Sequence, residues 1–232
     1  MSRPLFQLDP RLWQCAQMVR HGTKLADIGT DHAYLPVWLE RQGLISSAVA
    51  ADINPGPLAR AQENIARYQA EKVITCLSDG LVSVPPDEAQ DIVIAGMGGE
   101  LIARILSAVP WVQQGSRRLI LQPMTAAKEL REFLLAQGFA LRQEKAVVVR
   151  EHIYTVMQAE YAPEAVTTTP LYPYVGALNP ADETARQYIT KQIAALRRKG
   201  EGLRRNSPEE ATHLLRTVEQ LEQWKSRKEN TP

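Results

Sequence analysis

Two hydrophobic periods alternate along the first two thirds of this chain. Leu12, Ala16 and Val19 share one side of a helix over 12–19. Apolar positions then crowd into 24–29, a run closed by Gly29, which predicts a strand and a glycine turn. The exchange repeats through helix 33–42, strand 47–52 and helix 55–69, where Leu58, Ala61, Ile65 and Tyr68 keep helical spacing. Strand 73–77 follows, then strand 91–95, whose unbroken apolar run suits burial on both faces. Next come helix 100–106, strand 118–122, and helix 126–137, closed by Gly138. Two strands, 139–149 and 153–159, come last with no helix between them.

Alternating strands and helices make βαβ units, so the expected fold class is α/β, a Rossmann-like sheet that is mostly parallel. The last two strands should form an antiparallel hairpin at one edge, giving one reversed edge strand. Residues 161–180 are proline-rich and read as a linker. Beyond them Ala185, Ile189, Ile193, Leu196 and Leu203 make one helical stripe. Ala211, Leu214, Leu215, Val218, Leu221 and Trp224 make another, entered through a capping box at Ser207-Pro208-Glu209-Glu210. The expected division is a Rossmann-like domain over 1–162, a linker over 163–180, and a coiled-coil-like helical hairpin over 181–232.

Composition sharpens this only slightly. The chain is 44% hydrophobic and 23% charged, as globular domains are. Net charge is +1, but 1–179 carry −2 and 180–232 carry +3, so the helical tail is the basic part. That asymmetry suits either a polyanionic partner or a solvated surface. Two cysteines without a CxxC pair, and four histidines, show no metal-ligand spacing, so no metal is expected. No apolar run is long enough to cross a membrane and no leader is evident, which points to the cytoplasm. Nothing in the pattern specifies an oligomer.

The chemistry-bearing residues gather at the carboxyl ends of the expected strands. The first strand closes as Ala26-Asp27-Ile28-Gly29-Thr30-Asp31-His32. One glycine with two acids is not the GxGxxG that a pyrophosphate needs. It suits a cofactor with an ammonium group, which Asp27 or Asp31 can face; the plain alternative is an ordinary βα turn. Asp52 and Ile53 end the second strand, where a carboxylate can accept ribose hydroxyls or simply cap the next helix. Asp79-Gly80 follows the third strand, where the acid can accept an adenine amine or merely make a turn. The fourth strand ends in Gly96-Met97-Gly98-Gly99, letting a flat ring approach the backbone, or letting a strand pack tightly on a helix.

Together these stretches resemble a known family. ADIGTDHAYLP (26–36), ADINP (51–55), SDGL (78–81), AGMGG (95–99) and LQP (121–123) are similar, in order and spacing, to the bacterial tRNA (adenine-N1)-methyltransferases that modify position twenty-two, the TrmK family. The likeness covers about residues 10–160, and the helical hairpin also resembles the family's appendage. It implies a class I methyltransferase sheet, S-adenosylmethionine as cofactor and tRNA as partner. It assigns Gly29, Asp31 and His32 to the cofactor loop, Asp52 to the ribose and Asp79 to the adenine end. Met97 and Gly98 would border the methyl donor and the target base. Met124, where Asn often follows Gln-Pro, and Thr155, where Glu often follows Tyr, are departures on the substrate side.

The expected chemistry is methyl transfer to adenine N1, whose lone pair is free in the neutral base. In-line positioning is then the main task. Asp31, with His32 behind it, is a candidate to stabilise the cationic product, or only to grip the cofactor ammonium. Phosphate contacts are expected from Arg3, Arg11, Arg20 and Lys24, and from Arg197, Arg198, Lys199, Arg204 and Arg205 at the hairpin tip. Two other readings stay open. One is a methyltransferase of small molecules or proteins. The other is a non-catalytic module that binds a nucleotide or S-adenosylmethionine and offers its helices to a protein.

Overall fold

The structure is a computed structural model that describes residues 5–165 and 168–227, so Arg3 lies outside the described residues. Its strands are β1 (Thr23–Ile28), β2 (Ile45–Asp52), β3 (Val73–Leu77), β4 (Asp91–Gly98), β5 (Arg118–Thr125), β6 (Phe139–Val149) and β7 (His152–Tyr161). Its helices are α1 (Pro10–Met18), α2 (Tyr34–Arg41), α3 (Pro55–Tyr68), α4 (Gly99–Ser107), α5 (Ala127–Ala136), α6 (Tyr172–Val175), α7 (Glu183–Leu203) and α8 (Pro208–Ser226).

One seven-stranded sheet runs in the order β3-β2-β1-β4-β5-β7-β6. Strands β1 to β5 are parallel, and β7 runs against both of its neighbours. The hairpin therefore lies at the edge as expected, but its reversed strand is the inner one. The outermost strand, β6, again points the way of β5.

Period-two alternation divides the core. Ala26, Ile28, Val49, Ala51, Ile92, Ile94, Leu119 and Leu121 face α4 and α5. Their neighbours Leu25, Ala48, Ala50, Val93 and Ile120 face the other way, where Cys15, Ala16, Leu35, Val37 and Ala61 cover them from α1, α2 and α3. Both layers are dry, which is why the inner strands read as unbroken apolar runs.

Strands β4 and β5 extend three residues past their apolar runs. Their pairing continues through Met97 with Pro123 and Gly98 with Thr125, across register shifts at Ala95 and Met97. Helix α1 begins earlier than its apolar pattern. Asp9 caps it, accepting from the Arg11 and Leu12 N–H groups at 2.8 and 3.1 Å, with Pro10 in the first turn.

The proline-rich stretch carries α6, whose Tyr174 and Val175 are buried with Leu178 of the same stretch and with Ile189, Ile193, Val218 and Trp224 of the helical hairpin. Two fully buried side chains fasten it. Arg131 of α5 meets Glu144 of β6 at 2.6 Å and donates to the Pro173 and Tyr174 carbonyls, while Glu144 accepts from the Ala177 N–H. The expected capping box at Ser207 does not form. At φ −148° and ψ 69° the Ser207 side chain makes no cap hydrogen bond, and its backbone N–H, which the reciprocal bond from Glu210 would need, donates to the Leu203 carbonyl at 2.8 Å.

Candidate functional site

The parallel strands β1 to β5 end on a common edge, and there a cleft of about 410 Å³ opens. Its lining includes Asp27, Gly29, Asp31, His32, Gly96 and Arg11. The ends of β1 and β4 and the start of α1, distant in sequence, thus meet in one place. A larger opening of about 530 Å³ lies at the opposite edge, lined in part by Arg20, His21 and Arg117, away from the motif residues.

Asp27, the last residue but one of β1, points to the α1 side of the sheet and is buried. The Thr30 hydroxyl donates to its Oδ2 at 2.5 Å. Burial, only partly offset by that hydrogen bond, pushes its pKa up to about 6. A buried carboxyl with one hydrogen bond has room for a cation.

Gly29 turns the chain with φ +75°, and a Cβ there would run into Met97 Cε. The Met97 side chain thus lies against the turn, bringing the ends of β1 and β4 together. Gly96, at φ +80°, donates its N–H to Gln122 Oε1 at 3.1 Å. Gly98 sits beside Thr125 Oγ1, and Gly99 lies against the Ala126 carbonyl with no space for a Cβ. The glycine run is therefore split. Gly96 belongs to the cleft, and Gly99 to packing of α4 on the β5–α5 turn.

Asp31 is exposed and already paired. Arg60 Nη2 of α3 approaches its Oδ1 at 2.9 Å, and His32 Nε2 its Oδ2 at 3.2 Å. The His32 ring stacks on Tyr34 at 5.2 Å. Asp52 does not cap α3, whose N-cap is Asn54; its Oδ1 accepts from the Asn54 N–H at 2.8 Å. Ile53 beside it is 58% exposed, an apolar surface next to a carboxylate. Asp79 and Gly80 follow β3 at the same edge, with Gly80 packed on Ile105. Asp52, Ile53, Asp79 and Gly80 extend the edge beyond the cleft without lining it.

The basic candidates separate. Arg11 is in the cleft, donating to Gln122 Oε1 at 3.3 Å, with its buried Nε lacking any partner in the described structure. Arg20 is not brought there. It binds fully buried Asp91 through its backbone N–H and side-chain Nε, both at 2.7 Å, at the amino end of β4. Lys24 pairs with Glu88 at 2.7 Å on that same far edge. At the hairpin tip Arg197 is held by Glu222 at 2.6 Å and Lys199 by Glu210 at 3.1 Å. Arg198, Arg204 and Arg205 are exposed and make no ion pair among the described residues.

Gln122, in the LQP stretch, is the residue to which motif reading gave no role. Fully buried at the end of β5, it accepts from both Gly96 and Arg11 and donates to the Pro123 carbonyl at 2.9 Å. The signal was a polar residue closing the apolar strand 118–122. Among the described residues no cluster of three or more His, Cys, Asp or Glu could hold a metal, and no helix is long and apolar enough to cross a membrane.

A methyltransferase-domain family matches residues 8–157. The tRNA (adenine(22)-N(1))-methyltransferase of Bacillus subtilis is 38% identical over 155 residues, covering 66% of this chain and 65% of that enzyme. The aligned stretch thus spans just under two thirds of that relative's own length. Among solved structures, the B. subtilis m1A22 tRNA methyltransferase TrmK superposes with a TM-score of 0.82 at 28% identity, covering 94% of this chain and 99% of that one. Streptococcus pneumoniae Sp1610 in complex with S-adenosyl-L-methionine gives 0.82 at 28% identity, covering 94% and 100%.

Proposed function

Because the chain belongs to the methyltransferase-domain family, we propose that it transfers a methyl group from S-adenosylmethionine to N1 of an adenine in tRNA. The observation that carries this reading is the cleft at the carboxyl edge, with a buried acid on its floor and two positive-φ glycines at its turns. The named activity of the 38%-identical relative supports the choice of target.

The residues fit the cofactor. Asp27, whose ionised form burial disfavours, is relieved by a neighbouring ammonium. Gly96 leaves its backbone open to close approach, and Asp52 and Asp79, further along the same edge, would take ribose and adenine, with exposed Ile53 for the flat base. S-adenosylmethionine supplies the electrophilic methyl group when bound. Met97 backs the Gly29 turn, packed on the hydrophobic core rather than lining the cleft. Adenine N1 needs no base to free its lone pair, so the chain's work is alignment. Positive charge grows on the purine, and Asp31 is the acid at the mouth that can face it. Its tie to Arg60 holds the carboxylate in place meanwhile.

The target base has to leave its stack, at a cost of roughly a few kcal/mol. Contacts to phosphate offset that cost. The hairpin tip is suited to make them: Lys191 of α7 donates to the Glu151 carbonyl at 2.6 Å, in the β6–β7 turn on the cleft's edge. The helix then runs on to Leu203, about 18 Å further at 1.5 Å per residue. Arg198, Arg204 and Arg205 therefore stand beyond the edge on which the cleft opens.

The deciding experiment incubates the protein with labelled S-adenosylmethionine and unmodified tRNA transcripts, followed by nucleoside mass spectrometry. The expected product is 1-methyladenosine, absent when the target adenine is replaced. Cofactor binding without that product removes tRNA as substrate.

A further inference from the structure

Helix α2 starts at the cleft mouth with Tyr34, which lines it. Four and three residues on, Trp38 and Arg41 fall on the same side of the helix, while Leu35, Val37 and Leu39 are buried. Helix α1 approaches from across the mouth. Its Arg11 and Leu12 line the cleft, and the next residue, Trp13, turns to solvent with 47% of its surface exposed. The Trp13 and Trp38 rings meet edge to face, with centroids 5.4 Å apart and planes at 80°. Nothing in the cofactor reading uses either ring.

Lone exposed apolar residues are commonplace, but exposed Trp13 set against half-buried Trp38, which packs on the core, forms a backed aromatic surface beside the cleft. We propose that the Trp13–Trp38 pair is a stacking surface for an unpaired base next to the flipped target in the RNA substrate. This rests on the tRNA reading of the same cleft. Flipping a nucleotide strips its neighbour of a stacking partner. An aromatic plane next to the mouth replaces that partner without regard to sequence, because every base has a π-face. Exposed Arg41, one turn past Trp38, supplies a cation for the adjoining phosphate.

The test measures steady-state methylation of full-length tRNA, with cofactor affinity by calorimetry. Trp13→Ala and Trp13→Leu should raise KM for tRNA roughly fivefold to a hundredfold, the range for removing one base stack. Cofactor affinity and kcat should stay within twofold, and Trp13→Phe should restore most of the loss. Leucine keeps apolar bulk on α1 without an aromatic plane, so it separates stacking from packing. An unchanged KM in the folded Ala and Leu variants overturns the proposal, as does Leu performing like Phe. A shift from dimer to monomer in sedimentation of Trp13→Ala also overturns it, making the face a contact between copies. If the wild type binds cofactor but leaves tRNA unmethylated, the substrate reading has failed and the stacking surface goes with it. If the wild type methylates tRNA with KM indifferent to Trp13, only the stacking surface is removed.

Discussion

Met97 Cε lies against the α-carbon of Gly29, so the β1–α2 turn and the end of β4 touch through one methyl group. Alanine at position 29 meets two separate obstacles, that methyl and a φ of +75°. The backbone alone costs about 1–2 kcal/mol. Gly29→Ala should therefore lower the urea midpoint and weaken S-adenosylmethionine at least tenfold. Adding Met97→Ala should remove the collision but leave the backbone cost, so the double variant recovers only part of the midpoint. Full recovery would mean that the turn does not need its left-handed backbone.

Asp27 predicts a pH dependence of definite sign. Its folded pKa of about 6 lies above the ordinary 3.8. An acid raised in this way favours the fold while protonated. Its contribution is full below about pH 4 and is lost as pH climbs through 6, a difference of roughly 3 kcal/mol for a rise of this size. Asp27→Asn, which can still accept from Thr30, escapes that loss. Its stability advantage over wild type should grow from pH 4 to 7 in denaturant titrations. Cofactor affinity should do the opposite, rising through pH 6 in the wild type and staying weak and flat in the variant. A parallel pH response in both proteins would remove Asp27 from the ammonium site.

How much of this is legible in the sequence varies with the kind of force involved. The order of strands and helices is legible because burial on both faces leaves unbroken apolar runs, as in 91–95. The acids at the strand ends are legible because the carboxyl edge of such a sheet is where ligands bind. The far-edge position of Arg20 is not, since its partner Asp91 is 71 residues away and no local pattern announces the pair. The extra length of β4 and β5 is hidden by glycine, proline and methionine, which pair there although none of them favours strands. Ser207 shows the reverse error. Its local pattern is that of a capping box, yet the tight turn between α7 and α8 sets a backbone in which the hydroxyl makes no cap bond. The stretch read as a linker is fastened by Arg131 and Glu144, buried charges that look from sequence like two surface residues.

That buried pair allows a thermodynamic test. Arg131→Met leaves Glu144 charged and dry, which should cost about 3–5 kcal/mol. Replacing Glu144 with leucine as well removes the stranded charge. About half of the loss should return, because the Pro173 and Tyr174 carbonyls and the Ala177 N–H still lack partners. Chemical denaturation of the two variants checks this, and a double variant no more stable than Arg131→Met would contradict it.

The hairpin tip offers a different readout. Replacing Arg198, Arg204 and Arg205 with alanine should weaken tRNA binding and flatten its salt dependence. The slope of log K against log salt concentration should fall by roughly 0.9 for each phosphate that is no longer neutralised. S-adenosylmethionine affinity should not move. An unchanged slope, measured by fluorescence anisotropy across a salt series, would show that the tip does not meet the RNA backbone.

Helix α7 crosses the face of β6 and continues past the sheet edge as one uninterrupted run of 21 residues. It therefore works as a fixed gauge. Each residue between Lys191 and the tip sets both height, about 1.5 Å, and heading, about 100°. One residue added to the helix would swing the three free arginines a quarter-turn and more off line. Seven added to α7, matched by seven in α8, would restore their heading about 10 Å further out. The length of this helix thus fixes the separation between the cleft and the exposed arginines at the tip.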